Sequence, residues 1–149
     1  AQEHLCDFLL SGDNVVNIKN VHEYAEKNVY EPETKSGPGE NLWTWKDPDI
    51  IKSYIVSADV ARGDGSDYSA FHVIDSVELE QMAEYRGKLT TMEYAELLVK
   101  TARYYNNALI VVENNNIGWA VLDEIIKEGY DNVFYSSKKN LVRIKHTSL

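Results

Sequence analysis

The sequence has a single cysteine and no long apolar run, and these shortages exclude several classes of protein. Cys6 cannot form a disulfide within the chain, and no cysteine or histidine stands near it at the spacing of a zinc site. A lone thiol fits a reducing, cytosolic setting. No apolar stretch approaches the roughly 20 residues that span a bilayer, and the first residues lack the features of a signal peptide, so we expect no membrane partner.

Positive charge is also scarce, with 15 Lys and Arg residues against 24 Asp and Glu residues and a net charge of −9. Proteins that hold nucleic acid by phosphate neutralisation usually have a basic face, so this balance argues against a stand-alone nucleic-acid binder. It does not exclude a nuclease, because carboxylates that hold Mg²⁺ make the site acidic. Several basic residues lie near the C-terminus: Lys138, Lys139, Arg143, Lys145 and His146. They predict a solvated tail, and contact with a phosphate backbone is the alternative.

Several well-known catalytic motifs are missing. The sequence contains no Gly-x-x-x-x-Gly-Lys-Ser/Thr phosphate loop, no Gly-x-Ser-x-Gly elbow and no His-Glu-x-x-His helix. The four histidines are scattered, and His72 lies inside a predicted strand, where packing or surface exposure is a better interpretation than a catalytic base. The 149 residues are 44% hydrophobic and 26% charged, which suits one globular domain with a sizeable core.

The first third of the chain has little regular patterning. A short helix is predicted over Val21–Lys27. Residues 31–40 hold two of the three prolines and two glycines, which predicts a loop or linker. Trp43 and Trp45 follow, and we expect them to pack this linker onto the core rather than to bind a ligand.

From Ser53 onwards the pattern becomes regular and predicts alternating strands and helices. Strands are predicted at 54–58, 70–74, 81–86, 108–113 and 133–135, and helices from Thr90 or Thr91 to about Tyr105 and from the Asn114–Asn116 caps to about Glu128. The third strand alternates in polarity and is placed near an edge. The order β-β-β-α-β-α-β predicts an α/β fold with an RNase H-like mixed sheet, in which three antiparallel strands precede parallel strands with crossover helices.

One candidate site follows the first of these strands. Asp59 closes the apolar run, so its carboxylate belongs at the end of the sheet, where it need not be buried without a partner. Gly63 and Gly65 allow a sharp turn or a close approach to phosphate. A hairpin bend would return Asp67 towards Asp59, whereas Asp64 fits a turn as well as a functional role.

A second candidate site ends the fourth strand at Glu113. If the first and fourth strands are neighbours, Asp59 and Glu113 point to a common position. Two adjacent carboxylates repel unless a cation neutralises them, and oxygen ligands alone suit Mg²⁺ or Mn²⁺. Two such ions catalyse phosphodiester hydrolysis in many enzymes. The alternative is that Glu113 interacts with a helix dipole and that Asn114–Asn116 act only as caps.

Together, the stretches 57–70 and 111–118 resemble the C-terminal nuclease domain of large terminase subunits from tailed, T4-like phages. The resemblance covers roughly residues 1–140. It implies an RNase H-like, Mg²⁺- or Mn²⁺-dependent DNA endonuclease that cuts concatemeric double-stranded DNA for packaging, with two ions in the complete site. Asp59 matches the first acid of the family, Glu113 the second and Asp67 a further acid near the metals.

The same resemblance implies the organisation of the parent protein. Residues 1–45 match the segment that links a packaging ATPase to the nuclease and are partly loop, and residues 46–149 match the nuclease domain. The family's third main acid lies further towards the C-terminus and has no match before Leu149, so we expect a fragment truncated at its C-terminal part. The implied partners are double-stranded DNA, the portal protein and the small terminase subunit, in the cytoplasm of the infected bacterial host.

Two other functions remain open from the sequence. A non-catalytic binding module could keep an RNase H-like sheet without the chemistry. An actin-like or sugar-kinase-like nucleotide-binding domain also begins with an acid and a Gly-rich hairpin, but it needs a second phosphate-binding hairpin of the Asp-x-Gly-Gly kind, which the sequence lacks.

Overall fold

The computed structural model describes residues 17–61, 67–113, 118–137 and 140–143. The chain divides into two compact units, Ala1–Glu31 and Pro32–Leu149. In the first unit, helix α1 spans Ile18–Asn28 and contains the short helix predicted at Val21–Lys27. The Asn17 side chain caps it by accepting a hydrogen bond from the Lys19 amide at 2.9 Å. Among the residues described, no helix has the length and apolar character needed to cross a membrane.

The second unit is built on one eight-stranded sheet. Its strands are β1 (Thr34–Ser36), β2 (Leu42–Thr44), β3 (Tyr54–Asp59), β4 (Ser69–Asp75), β5 (Gln81–Gly87), β6 (Leu109–Glu113), β7 (Val133–Ser137) and β8 (Asn140–Arg143). Its helices are α2 (Thr91–Tyr104) and α3 (Gly118–Lys127), with a single 3-10 turn at Pro38–Glu40. The strands lie in the order β1-β2-β5-β4-β3-β6-β7-β8.

The predicted order of strands and helices is confirmed from β3 to β7. Strands β3, β4 and β5 pair antiparallel, and β6 then pairs parallel with β3 and with β7. Helices α2 and α3 form the two crossovers. Because parallel crossovers are right-handed and both step in the same direction across the sheet, both helices cover the same face.

The core lies between this covered face and the two helices. Alternate residues of the central strands are buried there, such as Val56 in β3 and Ile110 and Val112 in β6. They pack with Leu98 of α2 and Leu122 of α3 in one hydrophobic cluster. The intervening residues belong to the opposite face, where Ser57, Asp59, His72, Arg86 and Glu113 are exposed. This second surface is called the open face below.

Helix α2 begins where the sequence predicts. The Thr90 hydroxyl accepts from the Glu93 amide at 3.3 Å, while the Glu93 carboxylate accepts from the Thr90 amide at 2.9 Å. This reciprocal arrangement is a capping box and satisfies two amide groups at the helix start. It fixes the point at which the chain leaves β5 and enters the crossover.

Three predictions about the edges of the sheet are wrong. The loop predicted over residues 31–40 contains β1 and the 3-10 turn, and with β2 it forms a hairpin that pairs with β5. The third predicted strand, β5, is therefore internal rather than near an edge. The last strand is β8 rather than the segment 133–135, since β8 pairs antiparallel with β7. Strands of three or four residues are too short for alternation to reveal.

At the end of the sheet away from Asp59, the turn after β4 is held by a buried acid. Asp75 is only 1% exposed, and its Oδ1 accepts from the amides of Val77 and Glu78 at 2.9 and 3.0 Å. Its Oδ2 lies 2.9 Å from Lys52 Nζ, which also contacts Glu78 Oε2 at 2.6 Å. The Glu78 amide, then Lys52 and the Val77 amide, lower the pKa of Asp75 from 3.8 to about 2.

We expect this turn to make the stability of the fold depend on pH in the acidic range. A carboxyl group whose pKa is lowered by folding contributes stability above its unfolded pKa, and this is lost as the pH falls through the folded value. The free energy of unfolding should therefore decrease between pH 4 and about 2, and Asp75→Asn should flatten that slope and lower stability at neutral pH. Urea titrations at a series of pH values measure both effects.

The matched control for this test is Asp123→Asn. Asp123 forms an exposed ion pair with Lys127 at 2.8 Å on α3, and exposed pairs contribute little to stability. This variant should keep the wild-type acid slope. An identical loss of slope in both variants would contradict the role assigned to Asp75.

Candidate metal centre

The two predicted acids, Asp59 and Glu113, end adjacent parallel strands. In the register of β3 with β6, Val56 pairs with Ile110 and Ala58 with Val112. Continuing this register by one residue sets Asp59 beside Glu113. Adjacent strands lie about 4.8 Å apart, and side chains at matching positions project from the same face. The condition on which the sequence-based site depends, that the first and fourth strands are neighbours, is thus confirmed.

Both acids are exposed at the end of the open face. Asp59 is also paired with Ala70 of β4, and Glu113 with Ser136 of β7, so the acids lie in the middle of the sheet rather than at an edge. Mg²⁺ retains several waters and is often bound through one or two carboxylates together with substrate phosphates. Two side-by-side carboxylates that are open to solvent fit this kind of binding.

A buried tyrosine holds the backbone beneath Asp59. The Tyr94 hydroxyl, on α2, lies 2.6 Å from the Ala70 carbonyl oxygen and 3.2 Å from that of Asp59. Burial, and then the negative charge of Asp59, raise the pKa of Tyr94, so the hydroxyl stays protonated and donates to these carbonyls. Sequence patterning identified Tyr94 only as an apolar helix position, because the pattern does not reveal where its hydroxyl points.

The backbone of Glu113 is confined by the start of α3. A side-chain carbon added to Gly118 would collide with the carbonyl oxygen of Glu113 and would lie 3.3 Å from its carbonyl carbon. Only glycine therefore allows the helix to begin this close to the end of β6. The predicted caps Asn114–Asn116, which lie between these two residues, fall outside the described residues.

The third predicted ligand, Asp67, lies in a different setting. It is exposed and lines a cavity of about 230 Å³ beside the start of α2, together with Ser69, Thr90 and Glu93. The Ala61 amide donates to Ser69 Oγ at 3.1 Å and so joins the segment after β3 to the start of β4. Within the described part of the chain, no group of three or more His, Cys, Asp or Glu side chains is placed to hold a metal. The role of Asp67 as an auxiliary ligand stays a prediction.

Other residues weighed from the sequence lie outside the described ranges: Cys6, Gly63, Asp64, Gly65, Lys138, Lys139, Lys145 and His146. His72 is exposed on the open face, with Nδ1 3.1 Å from Gln81 Oε1 and 3.7 Å from Glu84 Oε2. It therefore contacts polar side chains of β5 rather than the acid pair.

Comparisons with solved structures identify the fold. The chain is similar to the large terminase nuclease from thermophilic phage G20c, with a TM-score of 0.63 and 21% identity over 77% of this chain and 59% of that one. It is also similar to the same nuclease with bound magnesium, at a TM-score of 0.63 and 21% identity over 77% of this chain and 58% of that one. The large terminase nuclease domain of Thermus phage P74-26 is similar as well, with a TM-score of 0.60 and 20% identity over 80% of this chain and 59% of that one.

These likenesses confirm the predicted RNase H-like fold. The similar structures are large terminase nucleases, the class that the Asp59 and Glu113 motifs resemble in sequence. The chain spans about 59% of the length of the G20c nuclease. No protein-family model matches the sequence, and no curated protein matches it either.

We expect Tyr94→Phe to loosen the backbone that carries Asp59. Removing the hydroxyl leaves the carbonyls of Ala70 and Asp59 without this donor, which should cost about 1–2 kcal/mol of unfolding free energy. Urea denaturation measures the loss.

Tyr104→Phe provides the control for this variant. The Tyr104 hydroxyl donates to Asp47 Oδ1 at 2.7 Å, but the residue is 54% exposed. Its removal should change stability by no more than about 0.5 kcal/mol. If Tyr94→Phe proves no more costly than Tyr104→Phe, Tyr94 does not anchor the site.

Proposed function

We propose that this chain is the nuclease part of a viral DNA-packaging terminase, whose full-length protein cuts concatemeric double-stranded DNA with the help of divalent cations. The observation that carries the proposal is the placement of Asp59 beside Glu113 at the ends of two parallel strands. The same fold forms the large terminase nucleases of two phages. A carboxylate pair on this fold fits phosphodiester hydrolysis better than it fits a passive binding module.

The donor set favours Mg²⁺ or Mn²⁺ as the cation, with two ions in the complete site. Asp59 and Glu113 offer only oxygen atoms, which hard cations prefer. Structures of the G20c nuclease with bound magnesium, cobalt and zinc support a divalent ion as the cofactor. Asp67 is the candidate for an additional ligand from the β3–β4 hairpin.

In this mechanism, the protein positions charge rather than forming a covalent bond. A divalent cation, when bound, supplies charge neutralisation and activation of the nucleophile. Asp59 and Glu113 hold their carboxylates on one face, so that a phosphodiester can approach from the open face of the sheet. Tyr94 and Gly118 fix the backbone of the two acids, which limits the reorganisation that catalysis would otherwise require.

The remaining assignments concern the parent protein. We propose that the residues before β1 link a packaging ATPase to the nuclease domain, which begins before residue 46 because β1 and β2 pair into its sheet. The parent then works with the portal protein and the small terminase subunit in the cytoplasm of the infected bacterium. The structural similarity to terminase nucleases extends over most of this chain and supports the nuclease assignment.

Removing either acid should abolish cutting. We expect Asp59→Asn and Glu113→Gln each to lower the rate of cleavage of a supercoiled plasmid by at least about 100-fold in Mg²⁺ or Mn²⁺, because each amide removes a negative charge from the metal site. The measurement uses the full-length parent. Far-UV circular dichroism checks that the variants remain folded.

Matched variants elsewhere on the surface make this test specific. Asp123→Asn and Glu96→Gln change exposed acids of α3 and α2 and should leave cleavage unchanged. Wild-type cleavage by Asp59→Asn in the full-length parent would overturn the proposal.

Cation binding can be measured without cleavage. A ligand at ten times its Kd stabilises the folded state by about 1.4 kcal/mol, which raises the Tm of a domain of this size by roughly 3–6 °C. Millimolar Mn²⁺ should produce this shift in the wild type and in Glu96→Gln, but not in Glu113→Gln. No shift in the wild type would favour a non-catalytic RNase H-like module, and tight binding of ATP would favour a nucleotide-binding domain.

A further inference from the structure

A tyrosine and two basic residues form an exposed cluster next to the acid pair. The Arg86 guanidinium carbon lies 4.5 Å from the centre of the Tyr68 ring, and Lys88 Nζ lies 4.9 Å from it. Tyr68 is 50% exposed, and both basic residues are exposed. Cations at these distances are attracted to the face of an aromatic ring. These three residues are called the Tyr68 patch.

The register of the sheet places the Tyr68 patch on the open face with Asp59. Arg86 of β5 pairs with Ala70 of β4, and Ala70 pairs with Asp59 of β3. Residues paired in this way project from the same face, so Arg86 and Asp59 share one row. Two strand spacings separate them, which corresponds to roughly 10 Å. Along one strand of B-form DNA this is about one to two nucleotides, because the rise of roughly 3.4 Å per nucleotide is measured along the helix axis and the phosphates also wind around that axis.

The charge of this cluster suits phosphate. Among the residues described, no carboxylate lies within ion-pair distance of Arg86, and its guanidinium lies over the Tyr68 ring. By contrast, Lys46, Lys52 and Lys127 each form an ion pair. A guanidinium that is held in place by an aromatic ring keeps its donors available for a phosphate oxygen.

We propose that the Tyr68 patch binds the phosphate backbone of double-stranded DNA. Its placement about one to two nucleotides from the cleaved bond rests on the proposed function, whereas the binding itself does not. Arg86 makes the phosphate contact, Lys88 adds positive charge, and the Tyr68 ring orients the guanidinium. The patch would thus supply local positive potential to a chain whose net charge is −9.

Binding can be tested separately from metal and cleavage. In a chain that carries both Asp59→Asn and Glu113→Gln, no cutting is expected and no cation is needed to offset the two carboxylates. Fluorescence anisotropy of a short labelled duplex is measured in metal-free buffer between 50 and 200 mM salt. Arg86→Gln, Arg86→Lys, Tyr68→Phe and Tyr68→Ala are compared in this background.

Loss of one phosphate contact has a defined signature. In Arg86→Gln, the slope of log affinity against log salt should be smaller in size by about 0.9 than in the background that keeps Arg86. The ratio of the two affinities should therefore shrink about 3.5-fold between 50 and 200 mM salt. Arg86→Lys should retain the slope. Tyr68→Phe should bind like the parent, because the ring is kept, whereas Tyr68→Ala should bind more weakly.

Lys100→Gln is the matched control. Lys100 is exposed on α2, which covers the other face of the sheet, so its removal should leave the salt slope unchanged. The proposal is overturned if the chain does not bind duplex DNA at 50 mM salt, or if Arg86→Gln behaves like Lys100→Gln. If Arg86→Gln loses the slope while Asp59→Asn in the parent still cuts DNA, the Tyr68 patch stands and the proposed nuclease function falls.

Discussion

The parallel pairing of β3 with β6 is the constraint on which the candidate site depends. Its register is set by packing, since Val56, Ala58, Ile110 and Val112 must all face the core. A slip of one residue would turn all the apolar side chains of one strand towards the open face. The loss of their burial makes such a slip strongly unfavourable. The neighbouring positions of Asp59 and Glu113 follow from this register. Two like charges are brought together by hydrophobic burial on the other side of the same strands.

The acidic residues at the two ends of the sheet differ in burial and in their hydrogen-bond and ion-pair partners. Asp75 is buried, two backbone amides donate to its Oδ1 and Lys52 forms an ion pair with its Oδ2, so that its charge contributes to folding. Asp59 and Glu113 are exposed, and within the described residues neither forms an ion pair with a basic side chain. Two carboxylates in that state repel each other, which favours the arrival of a cation. The contrast separates an acid that stabilises a turn from acids that remain available for binding.

Much of this arrangement could be predicted from the sequence because its central elements have strong local signals. The apolar runs of β3 and β6, the amphipathic pattern of α2 and the capping threonine before α2 each mark an element within a residue or two. The peripheral strands β1, β2 and β8 could not be predicted, because their pairing with β2, β5 and β7 rather than their own pattern defines them. The contacts of Tyr94 and Tyr68 were missed for a related reason. Both depend on residues that are distant in sequence and meet only across the folded sheet.

The same distinction limits what the net charge can say about nucleic-acid binding. A value of −9 describes the whole chain, whereas a bound phosphate responds mainly to charges within a Debye length, about 10 Å at 0.1 M salt. Arg86 and Asp59 lie about that far apart on one face, so the potential at each is set mainly by its own charge and only partly by the other's. One divalent cation at the acid pair would offset its two negative charges, and two cations would make the pair positive, with a smaller effect on the potential at Arg86. An acidic chain can therefore present a continuous row of phosphate-attracting positions once its carboxylates are occupied.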